Sequence, residues 1–210
     1  PLPGRLPSAW LLSPACAGDG TEVTRAVGRS VTFRIQSLDE EATVWSFGNE
    51  IIVTVKFGNP PEPIFLDKSY KPRLAFPENG SALTISQLTT DDAGTYTAKT
   101  SMGKIIFTLH VYRELVVPTV TCLAQNCSAG ACSYTLRCTA EGSGSGHVSY
   151  SWSMGGLLWA EGPALPVEEL SSGEPLLPVT CMARNPVSSR NATVISPAAL
   201  CAGNGRGKMR

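Results

Sequence analysis

The chain has 210 residues, which is too long for one minimal module and suits two domains of about 100 residues each. Its 17 basic and 17 acidic residues cancel, so no net field is available to hold a nucleic acid or an anionic membrane. The 20 glycines and 16 prolines are spread between short apolar runs. This pattern indicates many turns and short strands, and it disfavours disorder and long helices.

The start of the chain has the pattern of a secretory signal peptide. Arg5 precedes the apolar run Ala9-Trp10-Leu11-Leu12, and Ala15-Cys16-Ala17 has the small-x-small form of a signal-peptidase site. We expect residues 1–17 to be a residual signal peptide. Its removal takes Cys16 and leaves six of the seven cysteines, enough for three bridges. The alternative is an artefact of gene prediction or cloning, with Cys16 free or mispaired.

From Glu22 to Tyr112, short runs rich in β-branched and aromatic residues alternate between apolar and polar positions, with turn residues at their ends. This pattern is typical of antiparallel strands. The predicted strands are Ser30–Gln36, Ala42–Phe47, Ile51–Phe57, Pro63–Leu66, Arg73–Phe76, Ala82–Gln87, Gly94–Thr100 and Lys104–Tyr112. Their number and spacing favour a variable-type immunoglobulin-like sandwich.

The string Asp92-Ala93-Gly94-Thr95-Tyr96 carries the most information about this fold. In an immunoglobulin sandwich, a tyrosine two residues before the second core position forms the tyrosine corner, and its hydroxyl bonds back to the backbone. Tyr96 fits that role. We expect Asp92 to pair with Arg73 at the start of a neighbouring strand.

The core of this first sandwich lacks the usual disulfide. Ile35 and Ala98 occupy the two positions where most variable-type domains carry bridged cysteines, and Trp45 lies ten residues after Ile35. Because loss of such a bridge costs roughly 2 to 5 kcal/mol, packing of these three side chains must support the region alone.

After Tyr112 and a short linker ending at Pro118, the composition changes, and five of the seven cysteines lie between Cys122 and Cys181. Strands are predicted near Ser133–Ala140, Val148–Met154, Pro175–Ala183 and Asn191–Ile195. The order Cys138, Trp152, Cys181 is typical of a constant-type sandwich. We therefore expect an all-β protein of two tandem immunoglobulin-like sandwiches: residues 18–113 a variable-type domain, 114–201 a C2-type domain with disulfides, and 202–210 a membrane-proximal stalk.

Three sequons fit the N-glycosylation rule, and they begin at Asn79, Asn126 and Asn191. Three sequons beside a cluster of cysteines indicate the secretory route, where disulfides persist.

Several strings of the second domain together resemble the signalling lymphocytic activation molecule (SLAM) family of immune receptors. They are Cys132-Ser-Tyr-Thr-Leu-Arg-Cys138, Tyr150-Ser-Trp152, Thr180-Cys-Met-Ala-Arg-Asn-Pro-Val-Ser188 and the late Cys201. The first domain agrees, since variable domains of that family similarly lack the core disulfide and end in a string like Leu109-His110-Val111-Tyr112. The resemblance covers about residues 21 to 201.

The resemblance implies bridges from Cys132 to Cys201 and from Cys138 to Cys181. Cys122 and Cys127 are then left. They lie five residues apart and can close a small loop, which departs from the usual pattern of the family. A sugar on Asn126 would lie inside that loop, so one of these two features is expected to fail.

Catalytic, metal and cofactor chemistry finds little support in the sequence. His110 lies in a predicted strand and His147 in a glycine-rich loop, and no Gly-x-Ser-x-Gly elbow accompanies either. The spacings of Cys122, Cys127, Cys132 and Cys138 lack the Cys-x-x-Cys knuckles of zinc sites. We predict no enzyme activity, no cofactor, no metal and no small-molecule substrate.

What remains is protein recognition through one sheet of the first domain. By alternation, its exposed face carries Ser46, Glu50, Thr54, Lys56, Lys99, Ser101, Lys104 and Phe107. In SLAM-like receptors this face docks head to head with the same face of a receptor on an opposing cell, so the resemblance implies a weak homodimer or pairing with a family relative at the cell surface. A soluble or pathogen-encoded decoy is the alternative. A one-residue error in strand register would instead make this face ordinary solvated surface.

Overall fold

A computed structural model describes residues 20–35, 41–128, 130–140, 142, 144–169 and 177–204. The predicted signal peptide, residues 1–17, and the last six residues of the predicted stalk lie outside the described residues. The described chain is almost entirely β-structure, with two separate hydrophobic cores.

The first sandwich consists of two sheets with the strand orders β1-β9-β8-β3-β4-β5 and β2-β7-β6. Its strands are β1 (Thr21–Ala26), β2 (Val31–Arg34), β3 (Ala42–Phe47), β4 (Glu50–Lys56), β5 (Glu62–Phe65), β6 (Leu74–Ala75), β7 (Ala82–Ile85), β8 (Gly94–Lys99) and β9 (Lys104–Tyr112). Short 3₁₀ turns lie at Lys68–Tyr70, Glu78–Gly80 and Thr90–Asp92. Each strand predicted in this region has a counterpart here, and β1 pairs parallel to β9 as an additional strand.

The second sandwich also consists of two sheets, with the strand orders β10-β11-β14 and β13-β12-β15-β16. Its elements are β10 (Thr119–Ser128), β11 (Ala131–Thr139), β12 (Ser149–Met154), β13 (Leu157–Glu161), β14 (Ala164–Glu169), β15 (Val179–Asn185), β16 (Ser188–Val194) and the helix α1 (Pro197–Asn204). The sequence did not predict β10, β13 or β14. Their sequences hide the alternation: most side chains of β10 are exposed, β13 begins with three consecutive apolar residues, and β14 contains Pro166.

The core of the first sandwich packs by aromatic stacking and contains the predicted trio. Ile35, Trp45 and Ala98 are all buried, which confirms their predicted place in the core. Phe33 stacks on Phe107 with ring centroids 4.8 Å apart.

The predicted place of Phe107 on the exposed face is wrong. Its side chain is only 5% exposed and also stacks on Trp45 with ring centroids 5.9 Å apart. Tyr96, which points inward, lies opposite it, whereas the next residue back, Ile106, lies opposite Thr97 on the outer face. Lys104 and Phe107 are three residues apart on β9, and residues an odd number apart project from opposite faces of a regular strand, so the two do not share the outer face.

The tyrosine corner is formed as predicted. The Tyr96 hydroxyl donates to the Asp92 carbonyl oxygen at 2.8 Å. Arg73 holds the Asp92 carboxylate through two parallel bonds, Nη1 to Oδ2 and Nη2 to Oδ1, both 2.8 Å long. Burial alone would raise the pKa of Asp92, but the hydrogen bonds from Arg73 and Thr89 outweigh it and lower that pKa. Burial raises the pKa of Tyr96, so this residue stays a neutral donor.

The core of the second sandwich contains the predicted bridge Cys138–Cys181 beside Trp152. The Trp152 Nε1 donates to the Gly162 carbonyl oxygen at 3.0 Å. Cys138, Trp152 and Cys181 therefore lie together in the core of the second sandwich, as their order in the sequence predicted.

The other two predicted bridges, Cys132–Cys201 and Cys122–Cys127, are wrong. The structure joins Cys122 to Cys201 and Cys127 to Cys132. Cys122 and Cys127 lie on the same extended strand, where five residues span roughly 17 Å at about 3.4 Å each, far beyond the Cα separation of a disulfide. The β10–β11 hairpin places Cys127 directly opposite Cys132, which leaves Cys122 for helix α1. Asn126 consequently lies outside the small bridged loop.

The two sandwiches meet at a hydrogen-bonded joint centred on Asn185, which is 7% exposed. Its Nδ2 donates to the carbonyl oxygens of Arg113, at 2.8 Å, and Ser145, at 2.9 Å. Its Oδ1 accepts from the backbone N–H groups of Val187 and Ser188 and from the Ser188 hydroxyl. The side chain of one residue thus ties the end of β15 to the linker and to the glycine-rich loop.

Further contacts reinforce this joint. The buried Leu115 of the linker donates its N–H to the Ser188 hydroxyl at 2.8 Å. Glu114 lies between Arg29 of the first sandwich, at 3.5 Å, and Arg190 of the second, at 3.2 Å. These ion pairs are exposed and contribute little energy. The buried hydrogen bonds therefore define the joint.

Candidate functional site: the front sheet of the first sandwich

The front sheet consists of strands β9, β8, β3, β4 and β5, and its outer face is the candidate site. Cross-strand register defines the rows of this face. Lys99, Val44, Thr54 and Ile64 form one row, and Ala42, Lys56 and Glu62 form the next. Side chains in such rows are neighbours because facing residues share one side of the sheet.

The structure brings together most of the predicted binding residues. Lys56, Lys99 and Lys104 are exposed on the outer face, and Thr54 is half-buried between them. Glu50 and Ser101 are exposed in the hairpin ends that border the face. Ser46 lies on the face but is only 8% exposed, so its neighbours cover it.

Charge is distributed unevenly along the front sheet. Lys99 lies directly opposite Lys104 at the β8–β9 hairpin, whereas Lys56, at the same end of the sheet, lies opposite Glu62. Glu50 lies at the opposite end, at the start of β4, opposite Phe47. Like charges placed opposite each other on adjacent strands are destabilising. The Lys99–Lys104 pair therefore gains stability when an external carboxylate approaches it.

Sequence reasoning missed an apolar patch at the β4–β5 edge of the front sheet. Ile51 is 46% exposed, Ile64 is 67% exposed and Leu66 is 56% exposed. Ile51 reaches the outer face because a bulge follows it in the pairing of β4 with β3. In the sequence it stands in the continuous apolar run Ile51-Ile52-Val53, which carries no alternation and hides the bulge. Ile51 and Leu66 also line an open groove with Glu50 and Lys68.

The histidines are not part of a reactive arrangement. His110 points its Nε2 towards the Glu22 carboxylate at 3.9 Å, and its ring is stacked on Tyr112. His147 is exposed in the loop after β11. Among the described residues, no group of three or more histidine, cysteine, aspartate or glutamate side chains could hold a metal ion.

All three sequon asparagines are exposed, and each lies off the front sheet. Asn79 is in the 3₁₀ turn before β7, Asn126 is on β10, and Asn191 is on β16. Sugars at these positions would leave the outer face of the front sheet uncovered.

The fold defines the class of the protein: two tandem immunoglobulin-like sandwiches, variable-type and then C2-type. No family model matches the chain. A solved structure of the same fold, titled as the CD2-binding domain of CD58, superimposes with a TM-score of 0.61 at 17% identity, covering 84% of this chain and 96% of that one. In the part of the chain that the structure describes, no helix is long and apolar enough to cross a membrane.

Within that class, the chain is a homologue of the SLAM family, as its sequence predicted. It is 31% identical over 209 residues to human SLAM family member 7, covering 92% of this chain and 61% of the relative. It is 30% identical over 203 residues to the human T-lymphocyte surface antigen Ly-9, covering 86% of this chain and 29% of the relative. The chain thus spans less than two thirds of the length of these relatives. The homology and the fold support an immunoglobulin-superfamily receptor on the extracellular side, and no catalytic family is indicated.

Proposed function

We propose that this chain is the ectodomain of a leukocyte cell-surface receptor, and that its front sheet binds the front sheet of a second copy on an opposing cell. The division into a ligand-binding domain at 18–113 and a supporting domain at 114–201 is part of this proposal. The sugars on Asn79, Asn126 and Asn191 would lie outside the contact.

The observation that carries the proposal is the opposite charge at the two ends of the front sheet, with lysines on the outer face at one end and an exposed glutamate in the hairpin that borders this face at the other. Lys99 and Lys104 lie at the β8–β9 hairpin, whereas Glu50 lies at the far end of β4. In a twofold interface, the same surface of each of the two copies forms the contact, so that surface must be complementary to itself. When two such sheets meet with their ends reversed, the lysine end of each copy faces Glu50 of the other.

The exposed apolar side chains support the same use. Ile51, Ile64 and Leu66 adjoin the Glu50 end, so a partner sheet would cover them. The remaining contact surface is polar, and desolvating polar groups offsets much of the gain from apolar burial. We therefore expect micromolar affinity and fast exchange, typical of small transient interfaces.

A charge exchange tests this proposal. Glu50→Lys alone, and the double variant Lys99→Glu with Lys104→Glu alone, should each lose the concentration-dependent dimer in sedimentation equilibrium, because each turns both contacts of the twofold pair into repulsions. An equimolar mixture of the two variants should form a heterodimer, because both contacts are attractive again. Arg137→Glu, an exposed reversal in the second sandwich, is the matched control and should dimerise as the unmodified chain does.

Two outcomes would contradict the proposal. If the unmodified chain stays monomeric up to high micromolar concentration, the front sheet does not pair with itself, and binding to other SLAM-family ectodomains becomes the next measurement. If a dimer forms but neither reversal weakens it, the contact lies elsewhere on the molecule.

A further inference from the structure

A trough runs along the outer face of the β13-β12-β15-β16 sheet of the second sandwich. Its floor consists of Ser149 and Ser151 of β12, and its walls are Leu158 and Glu161 of β13 and Met182 and Arg184 of β15. Leu158 is 69% exposed and Met182 is 37% exposed. Apolar walls in contact with water are unfavourable, so covering them would be favourable.

Asn191 lies beside this trough. It is exposed, begins the sequon Asn191-Ala192-Thr193, and lies directly opposite Met182 in the pairing of β15 with β16. Residues directly opposite each other project from the same face of a sheet. The row continues from Met182 to Ser151 and then to Glu161 across the sheet. Strand β16 is at the edge of the sheet, so a bulky group on Asn191 has space on its open side.

We propose that an N-linked glycan on Asn191 folds back over Met182 and that its first two N-acetylglucosamine units fill the trough. Neighbouring strands are roughly 4.8 Å apart, similar to the width of one sugar ring, so two units reach from β16 over β15 to β12. This inference goes beyond the adhesion proposed above and does not rest on it.

The two kinds of trough residue match the two kinds of surface on a sugar. The C–H faces of N-acetylglucosamine are apolar and would pack on Met182 and Leu158, which removes apolar surface from water. The hydroxyl and acetamido groups at the ring edges are donors and acceptors, and Ser151, Glu161 and Arg184 offer matching partners.

Oxidation of Met182 reports on this cover directly. Hydrogen peroxide converts an accessible methionine to its sulfoxide, which peptide mass spectrometry measures. In chain made by mammalian cells, we expect Asn191 to carry a glycan and Met182 to oxidise several-fold more slowly than in Asn191→Gln. Asn79→Gln, which removes an exposed sequon of the first sandwich, is the matched control and should leave Met182 as slow as in the unmodified chain. Met102, 82% exposed in the β8–β9 hairpin, serves as the internal rate reference, with the chain kept at nanomolar concentration so that front-sheet pairing does not cover it.

Removal of the whole glycan from the folded chain by an amidase, which leaves aspartate at position 191, gives a second measurement that needs no change to the expressed sequence. Glycan removal should accelerate Met182 oxidation to the rate found in Asn191→Gln. It also tests the proposal if the Asn191→Gln variant does not fold. An unoccupied Asn191, or a glycan whose removal leaves the Met182 rate unchanged relative to Met102, would overturn the proposal. Either result could occur while front-sheet pairing holds, so the two proposals fail separately.

Discussion

The Asn185 side chain is the best place to test whether the two sandwiches form one rigid unit. We predict that Asn185→Ala destabilises the second sandwich and loosens the joint. The substitution removes five hydrogen bonds, two donated and three accepted. Each such bond contributes about 0.5 to 1.5 kcal/mol net, and water can replace the bonds to half-buried groups, so the expected loss is about 2 to 5 kcal/mol. For a sandwich of this size that corresponds to a fall in Tm of more than about 10 °C.

Asn185→Asp separates the two halves of this network. An aspartate retains the oxygen that accepts from Val187 and Ser188, but its second oxygen would face the carbonyl oxygens of Arg113 and Ser145, which are acceptors as well. We therefore expect Asn185→Asp to keep the β15–β16 turn and still loosen the linker. Ser189→Ala, at an exposed position on the neighbouring strand, is the control.

Two measurements follow this prediction. Calorimetry reports the Tm of the second sandwich, and small-angle X-ray scattering reports the distribution of distances within the chain. Loosening of the joint should broaden the distribution at long distances in both Asn185 variants. The reasoning is refuted if Asn185→Ala unfolds within about 0.5 kcal/mol of the unmodified chain, the range of neutral surface substitutions, and scatters identically.

Two further predictions concern acid stability and the corrected bridges. Because the pKa of Asp92 lies below its ordinary value of 3.8, the stability that its ionised form contributes is present above that value and is lost as the pH falls from there through the folded-state pKa. Asp92→Asn should flatten that part of the acid unfolding curve, and an unchanged curve would mean that other carboxylates govern it. Opening Cys127–Cys132, at a sequence separation of 5, should cost about 2 kcal/mol in chain entropy, whereas opening Cys122–Cys201, at a separation of 79, should cost about 4.5 kcal/mol. Denaturant titration of the two double-serine variants gives this ranking, and peptide mapping that instead links Cys132 to Cys201 would contradict the pairing itself.

The joint and the candidate site are mechanically connected. In the proposed adhesion, the front sheet would present its face to a sheet on another cell, and a joint held by buried hydrogen bonds would restrict the orientations of that face. Such restriction raises the affinity of an interface, because a face with fewer orientations before binding loses less orientational entropy when it binds. If the front sheet pairs as proposed, the Asn185 joint would affect the affinity of that face without contacting it.

Local patterns were sufficient for much of the fold. Alternation of period two predicted strands β2 to β9 of the first sandwich, and the string from Asp92 to Tyr96 predicted the tyrosine corner and its arginine. The spacing of Cys138, Trp152 and Cys181 predicted the core of the second sandwich. These features were readable because each depends on residues whose roles the immunoglobulin fold repeats at constant spacing. The SLAM resemblance rested on the same kind of string, and the homologues confirmed it.

Other features depend on which strands lie next to each other, and only the tertiary structure decided them. Cys122, Cys127, Cys132 and Cys201 could pair in several ways until the β10–β11 hairpin placed Cys127 opposite Cys132. Phe107 and Ile106 exchange faces with a one-residue change of register, which the alternation in β9 alone did not resolve. The bulge that exposes Ile51 and the row that joins Asn191 to Met182 likewise arise from pairing between strands. The sequence by itself determined the class of fold and the family, because both depend on short strings that recur at constant spacing. The exposed surface that a partner or a sugar contacts was decided only by the tertiary structure, because it is built from cross-strand neighbours that are distant in the chain.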